Sequence, residues 1–176
     1  MDSYTHCFLV STVLMLLILN SNAANPPSKL VQNICKETSN PPNCLSALQP
    51  DPRTTSVSTF RDLAQIALQL AIANTTNSQT FIKNMLNSKG NNPHLRHAIQ
   101  NCVSSYRYAI YSFRSALNEL DDDPLTANYD AKVAGDGATN CEDGVASTGQ
   151  TVAPISTRNQ YLLLYSDIGY RITNKL

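Results

Sequence analysis

The sequence predicts an all-α protein: an up-down-up-down four-helix bundle with an N-terminal helical hairpin and two disulfides. Three observations predict it. Apolar residues recur at helical spacing along four long segments. Clusters of Pro, Gly and Asn cut the chain between those segments. Past an N-terminal leader, the cysteines form an even set, Cys35, Cys44, Cys102 and Cys141. The chain has 176 residues and 42% apolar content, enough for the core of one ordinary domain.

Residues 8–19 are an apolar run, shorter than the roughly 20 residues that span a bilayer, and they read as the h-region of a signal peptide. Ser21 and Ala23 are small residues at the minus-three and minus-one positions, so residues 1–23 are expected to be cleaved, with Ala24 the next choice. A short signal anchor is the alternative, since Asp2 stands where a basic residue is usual. Cleavage removes Cys7 and sends the other cysteines to an oxidising compartment, where thiols pair. Four cysteines permit three connectivities. Cys35 and Cys44 stand close together and Cys102 and Cys141 far apart, so near with near and far with far is the simplest pairing. A zinc site would need CxxC spacing, which is absent, and would have only His94 and His97 as further ligands.

Residues 24–55 are expected to form the hairpin extension and its linker, and residues 56–176 the bundle, with 24–176 making one domain. In the hairpin, two short helical stretches flank Thr38, Ser39, Asn40, Pro41 and Pro42, a turn that no helix crosses, closed by Cys35 with Cys44. Residues 50–55 hold two prolines and no apolar periodicity, so they read as a linker. The first bundle helix covers residues 58–86, with Phe60, Leu63, Ala67, Leu70, Ala71, Phe81, Ile82 and Met85 on its apolar side. Gly90, Asn91 and Asn92 break it, and Pro93 begins the second, whose inward face carries Leu95, Ile99, Cys102, Tyr106, Ile110, Phe113, Leu117 and Leu120.

The third bundle helix opens with Asp123 as N-cap and Pro124 at the first helical position. Ala127, Ala131, Ala134, Ala138, Cys141 and Val145 share one side, which brings Cys141 opposite Cys102 and lets two helices approach closely. Gly135 and Gly137 each weaken a helix by about 1 kcal/mol relative to Ala, so something other than propensity explains them. After a loop over residues 147–154, the last helix starts at Ser156 as N-cap, with Tyr161, Leu162, Tyr165, Ile168, Ile172 and Leu176 inward.

Formal charge is zero and the pI near 6.8, so there is no basic excess to neutralise a phosphate backbone and nucleic acid is not an expected partner. The sequence lacks a GxSxG elbow, an HExxH pair, a P-loop, GxGxxG and an EF-hand loop. Only His94 and His97 would remain after cleavage, which leaves few general bases, and no enzyme, cofactor or metal is expected. The Asp121, Asp122 and Asp123 run suits the N-terminal end of the following helix dipole.

Two surfaces invite a protein partner. Tyr108 and Tyr111 fall outside the second helix's core stripe, and tyrosine is enriched in interfaces. On the third helix, Leu125, Tyr129, Lys132, Asp136, Thr139 and Asp143 lie opposite the small-residue stripe, so a large apolar and an aromatic residue face outward among polar ones. Asn74-Thr75-Thr76 is a glycosylation sequon and Asn74 a candidate glycosylation site: helical phase puts Asn74 near the centre of the first helix's apolar face, where a glycan would not fit, but the sugar is transferred before folding is complete, so occupancy stays open.

Residues 33–38 (Asn-Ile-Cys-Lys-Glu-Thr), Asn40-Pro41, Asn43-Cys44-Leu45, the Cys102 helix and residues 135–143 (Gly-Asp-Gly-Ala-Thr-Asn-Cys-Glu-Asp) together carry a family likeness. The chain resembles the plant invertase and pectin methylesterase inhibitors over essentially its whole length after the leader. The resemblance implies a four-helix bundle with an N-terminal hairpin, the disulfide pairing given above, and export to the cell wall, with the vacuole as the other destination. It also implies a protein target. Inhibitors of pectin methylesterase cover the enzyme's pectin cleft with the outer surface of their second and third bundle helices. Invertase inhibitors send a Pro-Lys-Phe element into the active-site pocket. That element falls here on Pro124, Leu125 and Thr126, so only the proline is kept. Residues 134–143 look more like the methylesterase branch, although many such inhibitors carry a further cysteine in the last helix and residues 161–176 have none. The expected target is therefore pectin methylesterase, with Leu125, Tyr129, Lys132, Asp136 and Thr139 as contacts. An acid invertase (beta-fructofuranosidase) is the second choice, and a non-inhibitory structural bundle of the wall is the alternative from another class. The hairpin could pack on its own bundle or on that of a second copy.

Overall fold

Seven α-helices follow one another in the computed structural model, which describes residues 26–87 and 92–176; the expected leader over residues 1–23 lies outside them. α1 (Lys29–Glu37) and α2 (Pro41–Leu48) form the hairpin, and a 3-10 turn (Pro52–Thr55) leads to the bundle. The bundle comprises α3 (Phe60–Met85), α4 (Pro93–Asn118), α5 (Pro124–Val133), α6 (Asp136–Ala146) and α7 (Ala153–Thr173).

Short polar side chains set most of the starts by accepting a backbone N–H that the first turn leaves free. Ser28 Oγ accepts from Val31 N (3.3 Å), Asn92 Oδ1 from Leu95 N (2.8 Å) and Asp123 Oδ1 from Thr126 N (3.1 Å). Pro41, Pro93 and Pro124 sit where a missing N–H breaks no bond.

The bundle is a square. α3 packs on α4 and α7, the α5–α6 pair packs on the same two helices from the other side, and α3 therefore lies diagonally across from α5–α6. Both disulfides join neighbouring elements: Cys35–Cys44 ties α1 to α2 (Cα–Cα 5.4 Å) and Cys102–Cys141 ties α4 to α6 (Cα–Cα 4.4 Å). Ala127, Ala131, Ala134, Ala138, Cys141 and Val145 are all buried, and they are the stripe along which the helices come close.

The third bundle helix is not continuous as expected. It breaks at Ala134 and Gly135 into α5 and α6, with short-range bonds from Gly135 N to Lys132 O (3.1 Å) and from Gly137 N to Ala134 O (3.2 Å). The two glycines are explained by proximity. A Cβ at Gly137 would stand 2.7 Å from the Ser105 carbonyl oxygen of α4, and one at Gly135 would stand 2.9 Å from Ser166 Oγ of α7. Removing both methyl groups lets this segment lie flat against two neighbours, at the cost of helix continuity.

The hairpin packs on its own bundle. Ser39 N donates to Asp167 Oδ2 (2.8 Å), Tyr165 OH donates to the Ala47 carbonyl (3.4 Å), and Lys175 pairs with Glu37 (3.0 Å). The linker is more ordered than its prolines suggest, because Thr54 is buried and its carbonyl accepts Ser28 N at 2.9 Å.

Four phase expectations are corrected. Phe81, expected inward, is 37% exposed because Ser78 and Ile82 take the buried positions beside it. Tyr161 is 46% exposed because its neighbour Leu162 fills the core, and Leu176 is exposed beyond the end of α7 at Thr173. Asn74 lies at the edge of the apolar face, half-buried, and the adjacent Thr75 occupies its centre. α7 begins at Ala153 rather than at a Ser156 cap, since the Ser156 hydroxyl is engaged elsewhere, donating to Glu142 Oε1 (2.7 Å).

Candidate functional site

The outer face of the α5–α6 pair is built by its own inner face. Small residues turned to the core draw the backbone down, so residues on the opposite side stand clear of the bundle. Leu125 is 84% exposed and Tyr129 64% exposed. Leaving a leucine in water forgoes about 1.5–3 kcal/mol that burial would supply, so Leu125 contributes little to the fold. Its neighbours are fixed. Thr126 donates from both its backbone N–H (3.1 Å) and its hydroxyl (2.6 Å) to Asp123. The Thr126 hydroxyl is the main cause that holds the Asp123 carboxyl below its usual range.

Lys132, Asp136 and Thr139, all exposed, line one wall of an open groove of about 460 Å³ between α5–α6 and α7. The opposite wall brings Leu163 and Tyr170 from α7, and Ser39 of the hairpin closes one side. The Lys132 ammonium lies 5.2 Å from the centre of the Tyr170 ring, a cation–π distance. On the same wall Asp167 is already engaged, by Arg171 at 3.0 Å and by Ser39 N. Asp136, at the start of α6, has no hydrogen-bonding or ionic partner among the described residues. The groove therefore presents an available cation and an available anion beside apolar surface, which suits recognition by another protein more than chemistry.

The five expected contacts thus divide into two parts of one face: Leu125 and Tyr129 protrude, and Lys132, Asp136 and Thr139 line the groove beside them. On α4, Tyr106 is fully buried whereas Tyr108 (49%) and Tyr111 (60%) are exposed, as their phase predicts. Sequence reasoning missed Leu163 and Tyr170. They are seven residues apart on α7, so they share a face, and that spacing outside the core stripe was the available signal.

Among the described residues, the other clusters form no catalytic arrangement. His94 and His97 are exposed at the start of α4. Of the acidic run, Asp123 caps α5, Asp121 pairs with Arg61 and Asp122 is exposed. No group of three or more His, Cys, Asp or Glu able to hold a metal occurs among the described residues, and no helix among them is long and apolar enough to cross a membrane.

The chain is 31% identical to a pectinesterase inhibitor of Actinidia deliciosa over 149 residues, covering 80% of each protein. It is 29% identical to a putative invertase inhibitor of Platanus acerifolia over 181 residues, covering 99% of this chain and 97% of that one. Its fold matches the crystal structure of a mutant form of a pectin methylesterase inhibitor from Arabidopsis with a TM-score of 0.73 at 26% identity, over 85% of this chain and 98% of that one. A family model described as plant invertase/pectin methylesterase inhibitor matches residues 29–169, and with that match spanning most of the chain, this protein belongs to that family of enzyme inhibitors.

Proposed function

We propose that this chain is a secreted inhibitor of pectin methylesterase that covers the enzyme's substrate cleft with the outer face of α4 and α5–α6. The observation that carries the reading is the protruding pair on α5, Leu125 at 84% and Tyr129 at 64% exposure, on a helix whose other large contribution to the fold is a row of buried alanines. An exposed apolar and aromatic pair rimmed by Lys132, Asp136 and Thr139 has the anatomy of an interface centre with a polar rim. Tyr108 and Tyr111 extend the aromatic surface on α4.

Two features favour pectin methylesterase as the target. The positions where the invertase branch carries lysine and phenylalanine hold Leu125 and Thr126 here, and the Thr126 hydroxyl is turned back onto Asp123. A relative at 31% identity is named a pectinesterase inhibitor. The near full-length likeness to a putative invertase inhibitor supports acid invertase as the second reading. Secretion to the cell wall follows from reading residues 1–23 as a cleaved leader, with the vacuole as the alternative destination.

The test is a titration of the purified protein, lacking residues 1–23, against a pectin methylesterase and an acid invertase at mildly acidic pH. Stoichiometric inhibition of the methylesterase is expected. Inhibition of the invertase alone would reverse the assignment, and inhibition of neither by protein with both disulfides intact would favour a structural bundle.

A further inference from the structure

The sequon Asn74-Thr75-Thr76 lies on α3, away from the target face, and its surroundings form a small built groove. Thr75 points into the core, whereas Asn74 is half-buried at the rim and its carboxamide makes no hydrogen bond among the described residues. The groove, about 250 Å³ between α3 and α7, is also lined by Asn77, Thr157, Arg158 and Tyr161. Arg158 stacks on the Phe81 ring with its guanidinium carbon 3.4 Å from the ring centre, and it has no carboxylate partner among the described residues; its one hydrogen bond there goes to the Pro154 carbonyl at 3.1 Å. Phe81 and Tyr161 are 37% and 46% exposed, although the sequence reads each as part of an inward stripe.

We propose that Asn74 carries an N-linked glycan whose first N-acetylglucosamine lies in this groove. The exposed Tyr161 ring in the groove offers a surface for the C–H face of a sugar, and the Arg158 and Asn77 side chains offer donors to its hydroxyls and acetamide carbonyl. A sugar tethered at Asn74 reaches the groove without the entropy cost of a separate binding partner. The transfer is redox-neutral. Asn74 Nδ2 bonds to C1 of a lipid-diphosphate-linked oligosaccharide, the C1–O bond to the diphosphate breaks, and one Nδ2 proton is released. It takes place on the extended chain, before α3 forms, and the finished fold then seats the first sugar. The groove opens on the α3–α7 side of the square, opposite the α4 and α5–α6 side, so the glycan leaves the proposed target face open.

The inference rests on residues 1–23 directing the chain into the secretory pathway, and its readout is independent of inhibition. The full chain, expressed in plant cells and purified, is digested, and the Asn74 peptide is weighed beside those of Asn74→Gln and Thr76→Ala. A hexosamine-containing mass on Asn74 is expected, lost in both variants. Release of the glycan by an amidase that cleaves plant N-glycans should be at least tenfold slower from the native protein than from its Tyr161→Ala variant, and equal once both are denatured. Arg158→Ala gives a second, independent opening of the groove. Unmodified Asn74 in the recovered protein would overturn the proposal, whether or not the protein inhibits either enzyme. Equal release from the native wild type and both groove variants would overturn the seat.

Discussion

Tyr106 OH donates to Asn159 Oδ1 at 2.8 Å inside the bundle, joining α4 to α7 where neither group meets water. Asn159 in turn donates from Nδ2 to Glu142 Oε2 (2.6 Å), whose other oxygen accepts the Ser156 hydroxyl (2.7 Å), so one polar chain links α4, α6 and α7. It lies among the same three elements that the Cys102–Cys141 disulfide and the glycine approach hold together. A buried network of this kind is stabilising only when every member is satisfied.

Tyr106→Phe should therefore destabilise the fold by about 1–3 kcal/mol at neutral pH, because the Asn159 oxygen loses its donor without gaining water. The same phenol predicts an alkaline limit. Burial, the largest cause, holds its pKa well above the usual range, with Glu142 adding to the rise and Arg158 opposing it. In the unfolded chain the phenol ionises near 10. Stability is then full below about pH 10 and falls as pH rises toward the higher folded value, since only the unfolded state gives up the proton there. Urea midpoints at pH 7 and 11 should show this drop in the wild type and a smaller one in Tyr106→Phe, with Tyr165, also raised by burial, supplying the remainder. An undiminished drop in the variant would assign it to other groups.

Gly137→Ala and Gly144→Ala should move stability in opposite directions. Both lie in α6, where alanine gains up to about 1 kcal/mol of helix propensity. At Gly144 a new Cβ meets nothing within 4 Å, so the gain stands. At Gly137 it meets the Ser105 backbone oxygen at 2.7 Å and Ala109 Cβ at 3.1 Å, and α4 would have to move away. Overpacking of that kind costs about 1–3 kcal/mol, which exceeds the propensity gain. Thermal midpoints of the two variants check the sign; a stabilised Gly137→Ala would refute the close approach as the reason for the glycine.

Most of this architecture was legible in the sequence because it depends on local signals. The Asp123 cap, Pro93 and Pro124 at helix starts and the helical spacing of the alanine stripe are signals within a turn or two, and the even cysteine set allowed a near-with-near and far-with-far pairing; each appears in the structure as expected. What was not legible depends on neighbours distant in sequence. Gly135 and Gly137 could be seen as anomalous, but only Ser166 and Ser105 across the helix boundary explain them. Phe81 and Tyr161 looked inward because two adjacent apolar residues compete for one core position, and the loser is decided by packing. On the candidate face, Leu125 and Tyr129 were recoverable from phase alone, whereas the groove that adds Leu163 and Tyr170 requires knowing that α7 lies beside α5–α6.

Thr75→Val should stabilise the protein by about 1 kcal/mol. The Thr75 hydroxyl is wholly buried and has no hydrogen-bond partner among the described residues, and leaving such a group unmet costs about 1–3 kcal/mol. Valine has nearly the same shape, removes the polar atom and keeps the Asn-X-Thr sequon intact. A higher urea midpoint with an unchanged m-value is the expected result. A fall in stability would mean that the hydroxyl is satisfied by a buried water.

Leu125→Ala and Tyr129→Ala should weaken inhibition of the target without weakening the fold. Both side chains are mostly in water, so truncation removes little buried area, and thermal midpoints should stay within about 1–2 °C of wild type. In a complex the same side chains would become the desolvated centre of the interface. Truncating such an anchor costs about 2 kcal/mol or more, which is about a 30-fold loss of affinity. Thr139→Ala and Lys132→Ala, in the groove beside them, should cost less, because polar rim contacts exchange with water at little net gain. Inhibition constants against a pectin methylesterase, measured beside midpoints for all four variants, separate the two classes. Equal inhibition by wild type, Leu125→Ala and Tyr129→Ala would move the target face elsewhere on the bundle, with the exposed tyrosines of α4, Tyr108 and Tyr111, the next positions to truncate.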